Sequence, residues 1–226
     1  MKHVPNILTI LRLLACPFII YLFRLEEIRQ EQTLEKVDLE ITSGGILGVE
    51  GNLLIILIIF LLASLTDFFD GYLAREKNLK SSFGKILDPI ADKALIITMC
   101  IMIIIGEAIW PASYNSSLHY VPFCIIIFRE IIVSLLRYNV KNNSDEIQVT
   151  RLSKYKTFIQ MLAIATILFH DVSMFPFEIY KNIYQNLELT NIYIFFENLK
   201  IFLIWFAAFV TLITGVQHAK TYKKLK

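Results

Sequence analysis

Two pairs of aspartates have a spacing that could bind metal ions. Asp67 and Asp70 are three residues apart, and Asp88 and Asp92 are four apart. On an α-helix each pair falls on one face, because residues three and four apart are neighbours there. An ionised aspartate at the centre of a membrane helix costs roughly 2.5–3.5 kcal/mol, so four of them need compensation. Carboxylate oxygens are suitable ligands for Mg²⁺ and Mn²⁺. The pattern therefore predicts a site that binds two divalent ions, either Mg²⁺ or Mn²⁺.

Small residues and one arginine accompany the aspartates. Gly71, Ala74 and Gly84 remove side chains where a bulky ligand would approach the backbone. Arg75 follows at the edge of the same helix face, and arginine pairs well with phosphate. Taken singly, each aspartate would be interpreted as a helix cap and each small residue as a packing contact. Their combination in one register favours a site for metal and phosphate.

The composition limits the class of protein that can carry such a site. Hydrophobic residues make up 56% of the 226 residues, yet 22 Lys and Arg and 20 Asp and Glu remain. This balance excludes a disordered chain, a disulfide scaffold and an ordinary soluble domain. The formal net charge of +2 is too small to indicate nucleic-acid binding. A membrane protein is therefore predicted, with the lipid bilayer as its surroundings.

Six apolar stretches are each long enough to cross a bilayer as a helix, which takes about 20 residues. They lie near 5–23, 50–73, 84–108, 120–140, 155–174 and 192–217. We predict an all-α, polytopic bundle of six transmembrane helices that forms a single domain over 1–226. The charged stretch 24–49 is expected to be a polar surface excursion, and the connection 173–191 is expected to lie at the membrane interface. Neither has an assigned chemical role.

Basic residues outside the spans orient the bundle. Lys and Arg concentrate at the C-terminus and in the connections after the second and fourth spans, and Lys2 lies on the same predicted side, which the positive-inside rule assigns to the cytoplasm. The chain is thus predicted to be a multi-pass protein of the cell inner (plasma) membrane with both termini cytoplasmic. The aspartates border the second connection. Because that connection is short, the second and third helices are expected to be antiparallel neighbours, with the active site at the cytoplasmic boundary.

Four further basic residues could bind a second, anionic ligand. Arg129 and Arg137 fall on one side of the fourth span, and Lys154 and Lys156 open the fifth. A simpler interpretation is that Glu130 alone pairs with Arg129 and that the other three are ordinary cytoplasmic helix ends. A neutral acceptor would not need these cations beside the aspartates, so the pattern favours a phosphate-bearing acceptor.

The first helix carries a polar stripe. Asn6, Thr9 and Arg12 fall within one arc of that helix. Polar side chains in a membrane helix are expected to face the protein interior rather than lipid. They would serve either a ligand or a hydrogen-bonded contact between helices.

The aspartate pattern resembles the signature of the CDP-alcohol phosphatidyltransferases. The residues that match it are Asp67, Asp70, Gly71, Ala74, Arg75, Gly84, Asp88 and Asp92. The resemblance implies a six-helix membrane enzyme that breaks the pyrophosphate of a CDP-linked donor, releases CMP and passes the phosphoryl-alcohol unit to a hydroxyl acceptor. It implies that the four aspartates bind the metal ions and that Asp92 is also the base. The residues implied to contact CDP are Asn6, Thr9, Gly71, Ala74, Arg75 and Gly84.

Looser motifs resemble the branch of this family whose acceptor is glycerol 3-phosphate. They are the segment 5–12, Arg129-Glu130 followed by Ser134 and Arg137, and Lys154-x-Lys156-Thr157 followed by Gln160. The resemblance implies transfer of a phosphatidyl group from CDP-diacylglycerol to sn-glycerol 3-phosphate, giving phosphatidylglycerophosphate and CMP. The acceptor phosphate would contact Arg129, Arg137, Lys154 and Lys156. We expect direct displacement without a covalent enzyme intermediate.

Other functions remain open at this stage. Serine, inositol phosphate or phosphatidylglycerol could replace glycerol 3-phosphate as acceptor with the same aspartates. A divalent-cation transporter would also need intramembrane carboxylates, but here they stop at one boundary with Arg75 beside them. A metal-dependent phosphohydrolase using His170 and Asp171 would place its chemistry far from the four aspartates. A homodimer is likewise left open.

Overall fold

A computed structural model describes residues 4–36, 50–77, 84–109, 116–140, 151–174 and 187–225. Each of these ranges is one α-helix, and the described residues contain no strand. The helices are α1 (Val4–Lys36), α2 (Glu50–Lys77), α3 (Gly84–Ile109), α4 (Ser116–Val140), α5 (Arg151–Met174) and α6 (Leu187–Leu225). All six coincide with predicted spans, so the all-helical prediction is confirmed for this part of the chain.

The first helix continues beyond its predicted span. α1 runs to Lys36, so the first part of the excursion predicted at 24–49 is helical. Its sequence is rich in Glu, Gln, Leu and Arg, which favour helix even when polar. Arg24 and Glu27 form an ion pair one turn apart, which supports the helix there. The rest of the excursion, and residues 175–186 of the connection predicted at 173–191, lie outside the described residues.

The six helices pack as a closed ring. Following the pairs with extensive contacts, the order around the ring is α1, α2, α5, α6, α4, α3 and back to α1. A smaller contact between α3 and α5 crosses the ring. In the described residues α2 and α3 each pack on α1 but not extensively on each other. The expectation that they are direct neighbours therefore does not hold over the bodies of these helices, because a short connection limits only the distance between helix ends.

Side-chain contacts show that helices consecutive in the chain run in opposite directions, whereas the ring neighbours α1 and α3, and likewise α4 and α6, run parallel. The early residue Asn52 of α2 donates to the late residue Glu26 of α1, and Lys93 near the start of α3 donates to Ser134 near the end of α4. One end of the ring therefore combines the starts of α1, α3 and α5 with the ends of α2, α4 and α6. We call it the site end and the opposite one the far end.

The ring encloses an apolar core and presents an apolar exterior. Fully buried side chains from five helices meet inside: Ile19, Phe60, Leu95, Met99, Phe123 and Ile164. Large apolar side chains also cover the outside, among them Phe128, Phe158 and Phe202, each more than 60% exposed. By length and apolarity, one described helix is able to cross a membrane, over Ile194–Tyr222 of α6. Shorter apolar segments occur at Asn52–Thr66 and Lys93–Gly106.

Candidate active site

The two aspartate pairs lie on unbroken helical backbone at the site end. Asp67 and Asp70 belong to the last part of α2, which continues to Lys77. Asp88 and Asp92 belong to the first turns of α3, which begins at Gly84. Each pair therefore keeps the one-face spacing expected from the sequence. The side chains of all four lie outside the described residues, and among the described side chains no group of three or more His, Cys, Asp or Glu could hold a metal.

The other residues expected around the donor have the same backbone placement. Gly71, Ala74 and Arg75 lie in α2 beyond the first aspartate pair, so the predicted small-residue face continues the aspartate face. Of the polar stripe on α1, Thr9 and Arg12 are buried, as predicted for residues that face the interior. The side chains that lie outside the described part are those of Asn6, Gly71, Ala74, Arg75, Gly84, Arg137 and Lys154.

Arg129, Glu130, Lys156 and Gln160 form a buried charge cluster, which we call the acceptor cluster. One carboxylate oxygen, Oε1 of Glu130, accepts from three donors. Arg129 Nη1 lies 3.2 Å from it, Gln160 Nε2 lies 3.4 Å away, and Lys156 Nζ forms a direct ion pair. All four side chains are buried. The Arg129–Glu130 pairing considered from the sequence is thus observed, and Lys156 joins the same carboxylate instead of standing alone as a helix end.

The last helix supplies one wall of the acceptor cluster. Thr214 Oγ1 accepts from Arg129 Nη2 at 3.0 Å, and Thr211 Oγ1 accepts from Gln160 Nε2 at 2.9 Å. Both threonines are buried. α6 therefore belongs to the site.

A further hydrogen-bonded path joins the acceptor cluster to the aspartate-bearing helix. Lys93, the residue after Asp92, donates to the hydroxyl of Ser134, and that hydroxyl donates to the backbone oxygen of Glu130. The Lys93 ammonium is thereby directed toward α4 and the acceptor cluster. Because Lys93 and Asp92 are adjacent in sequence, the two predicted halves of the site occupy the same end of the bundle.

Comparison with known proteins decides the family. A family model described as CDP-alcohol phosphatidyltransferase matches residues 2–213. The chain belongs to the CDP-alcohol phosphatidyltransferase family. The prediction from the aspartate signature is therefore confirmed over nearly the whole chain.

Curated relatives of this family member share one printed name, CDP-diacylglycerol–glycerol-3-phosphate 3-phosphatidyltransferase. One from Rickettsia typhi is 34% identical over 99% of this chain and 98% of its own length. One from Bacillus subtilis is 30% identical over 100% of this chain and 98% of its own. A third, from Cereibacter sphaeroides, is 38% identical over 72% of this chain and 61% of its own. The first two are similar to the chain from end to end, so the likeness is not confined to the aspartate signature.

Some residues that contact the acceptor cluster were not predicted from the sequence. Thr211, Thr214 and Gly215 lie against it, and the buried His218 lies further along α6. Their spacing of three, one and three residues places them on one helix face. The sequence signal that could have identified them is a stripe of polar and small residues along one face of an apolar span. Threonine and glycine lower the hydropathy of a span only slightly, so this stripe does not stand out in the sequence.

A second charge cluster lies between α5 and α6 at the far end, and we call it the far-end cluster. Glu197 Oε2 lies 2.8 Å from Lys200 Nζ and 3.2 Å from His170 Nε2. Lys200 Nζ is also 3.4 Å from His170 Nδ1. His170 thus belongs to an ion cluster with α6, remote from the aspartate helix ends, and this arrangement offers no support for the phosphohydrolase considered with Asp171, whose side chain lies outside the described residues.

Proposed function

We propose that the chain transfers the phosphatidyl group of CDP-diacylglycerol to sn-glycerol 3-phosphate, forming phosphatidylglycerophosphate and CMP. The observation that carries this proposal is the acceptor cluster, in which Arg129 and Lys156 share one oxygen of Glu130. The curated relatives named above carry the name of this reaction. Their similarity along the full chain supports the same choice of acceptor.

The charge of the acceptor cluster suits a phosphate. Two cations meet a single carboxylate, and Lys93 adds a third cation through Ser134. A phosphate monoester carries between one and a half and two negative charges near neutral pH and would balance this excess. Serine or glycerol would bring no such charge. Arg137 and Lys154, near the site ends of α4 and α5, are proposed as further phosphate contacts.

The aspartate helices suit the pyrophosphate of the donor. Four carboxylates on the unbroken ends of α2 and α3 form a donor set of hard oxygen ligands, which fits Mg²⁺ or Mn²⁺. We propose that Asp67, Asp70, Asp88 and Asp92 hold two such ions. When bound, divalent ions would offset the charge of the pyrophosphate and of the departing CMP. The residues proposed to contact the CDP unit are Asn6, Thr9, Gly71, Ala74, Arg75 and Gly84.

The proposed reaction is a single displacement at phosphorus. The acceptor hydroxyl oxygen forms a bond to the phosphorus that carries diacylglycerol, while the bond from that phosphorus to the CMP oxygen breaks. Asp92 takes the hydroxyl proton as general base. Arg129 and Lys156 hold the acceptor phosphate, so its hydroxyl is oriented before the bond forms. The scheme needs no nucleophilic side chain and forms no enzyme-bound lipid.

A six-span membrane bundle is the proposed setting. The described helices are apolar on the outside and carry their charge clusters inside, the arrangement expected of a protein surrounded by lipid. The arginine and lysine excess near the site end supports a cytoplasmic active site with both termini cytoplasmic. A lipid donor and a water-soluble acceptor could then meet at the inner-membrane boundary.

Donor-dependent CMP release by the purified full-length protein tests the proposal. CDP-diacylglycerol would be supplied with glycerol 3-phosphate, serine, inositol phosphate or phosphatidylglycerol, each with Mg²⁺, with Mn²⁺ or with a chelator. We expect release with glycerol 3-phosphate and either metal, and loss of release on chelation. Release with another acceptor but not with glycerol 3-phosphate would overturn the acceptor assignment.

A variant of the proposed base tests the chemistry. Asp92→Asn is expected to lower kcat by roughly 100- to 10,000-fold, the usual range for a general base. Glu27→Gln, at the far end of α1, is the matched control and should retain wild-type activity. Full activity of Asp92→Asn would remove Asp92 as the base, and a lipid-loaded protein after incubation with donor alone would contradict direct displacement.

A further inference from the structure

The two threonine hydroxyls on α6 have fixed orientations. Thr211 Oγ1 donates to the backbone oxygen of Ala207 at 2.6 Å, and Thr214 Oγ1 donates to that of Thr211 at 2.9 Å. A hydroxyl has one proton and two lone pairs. Since each proton is already committed to the helix backbone, each hydroxyl can meet the acceptor cluster only as an acceptor. This suits their partners, the guanidinium of Arg129 and the amide nitrogen of Gln160.

Gly215 gives Arg129 room to lie against α6. A Cβ atom at position 215 would be 3.1 Å from Cγ and 3.4 Å from Nε of Arg129. Such contacts are tighter than a packed side chain normally makes, so even an alanine would push the arginine away. Thr214 and Gly215 therefore act on the same side chain, one by a hydrogen bond to the guanidinium and the other by leaving space for the arginine stem.

We propose that Thr211, Thr214 and Gly215 are positioning residues that set the geometry of the acceptor cluster. Thr214 and Gly215 fix Arg129 directly, and Thr211 fixes Gln160, which touches Glu130. With α6 in place, the Arg129 guanidinium is held between Glu130 and Thr214. This inference rests on the proposed function, and it assigns α6 a role in acceptor affinity beyond that of a membrane anchor.

Steady-state kinetics of Thr214 variants test the inference. Thr214→Val keeps the shape but removes the hydroxyl, and loss of a hydrogen bond to a charged group is expected to raise KM for glycerol 3-phosphate roughly 10- to 100-fold. KM for CDP-diacylglycerol should stay within about threefold, because the donor residues lie on α1, α2 and α3. Thr214→Ser, which keeps the hydroxyl, should restore the wild-type KM.

A second variant and a matched control separate positioning from folding. Gly215→Ala should also raise KM for glycerol 3-phosphate, by roughly fivefold for a shift of the arginine by a few tenths of an ångström. Thr221→Val, whose hydroxyl bonds only the exposed backbone oxygen of Gln217, should match wild type. Each variant's thermal unfolding would be measured in the same detergent.

The outcomes are distinguishable from failure of the proposed function. If wild-type protein does not use glycerol 3-phosphate, the function is wrong. If wild type uses it and Thr214→Val and Gly215→Ala both leave its KM unchanged, the inference is overturned. The inference is also overturned if a variant raises KM for both substrates by the same factor, or if its rise in KM follows a fall in melting temperature. The same holds if Thr214→Ser raises KM as much as Thr214→Val does.

Discussion

The acceptor cluster and the far-end cluster each pair a glutamate with a buried lysine, between α4 and α5 in the first and within α6 in the second, yet they differ in charge. At the site end, Glu130 is buried and meets both Lys156 and Arg129. At the far end, Glu197 is 23% exposed at its side chain and meets Lys200 and His170. Arg129 cannot be deprotonated in proteins, so the acceptor cluster holds a second permanently charged partner for its carboxylate that the far-end cluster lacks.

Under the proposed function, this difference separates a ligand site from a structural contact. A buried charge that is matched locally holds two helices together and has little to offer an anion. A buried cluster with excess positive charge is costly unless something balances it. The acceptor cluster retains that excess and adds threonine contacts that hold Arg129 in place. We therefore expect variants at the two ends to have different consequences even when the substitutions are identical.

The largest contrast is expected for stability. Glu130→Gln leaves two buried cations without their shared carboxylate and should lower the free energy of unfolding by about 3–5 kcal/mol, as for other broken buried ion pairs. Glu197→Gln removes a partly exposed carboxylate and should cost about 1 kcal/mol. Denaturant titration of both variants in the same micelles measures the difference. Equal decreases in the free energy of unfolding for the two variants would contradict the proposed difference between the clusters.

A smaller contrast is expected for catalysis. Lys156→Gln removes a proposed phosphate contact and should lower kcat/KM for glycerol 3-phosphate roughly 30-fold, as expected for a charged hydrogen bond. Lys200→Gln, equally buried, should stay within about threefold. Both are measured by CMP release at saturating donor. An activity loss in Lys200→Gln as large as that in Lys156→Gln would mean that the assay reports helix packing rather than acceptor binding.

The smallest effect is expected at His170. His170→Gln keeps a hydrogen-bonding side chain beside Glu197 and Lys200, so the free energy of unfolding should fall by about 1 kcal/mol, with unchanged turnover. Thermal unfolding and CMP release check both values. A large loss of turnover in His170→Gln would indicate that the far-end cluster contributes to catalysis.

Much of the fold could be predicted because the length of each apolar stretch and the geometry of an α-helix leave few alternatives for these segments. α3 was expected at 84–108 and runs over Gly84–Ile109. The end of α1 was placed too early because its polar residues were expected to form a surface segment outside the helix. In the structure Glu26 is buried within the helix and accepts a hydrogen bond from Asn52. The ring order was not predictable, since it depends on which helix faces match in three dimensions.

The candidate site also has one part that the sequence predicts and one part that it does not. The aspartate signature depends on spacing within single helices, so the sequence alone identifies it and the family match confirms the family. Lys156 on Glu130, and Thr214 on Arg129, are contacts between residues 26 and 85 positions apart. No local pattern encodes such pairings. The sequence therefore predicts a role for these cations without predicting which side chains hold them.

The most direct test of the central claim is the effect of Arg129→Gln on the two substrates. KM for glycerol 3-phosphate and for CDP-diacylglycerol would be measured for the wild-type and variant proteins in the same mixed micelles, with melting temperatures as a folding control. If the acceptor cluster binds the acceptor phosphate, KM for glycerol 3-phosphate rises roughly 100-fold while KM for the donor stays within about threefold. An unchanged KM for glycerol 3-phosphate, or an equal rise for both substrates, would contradict the account.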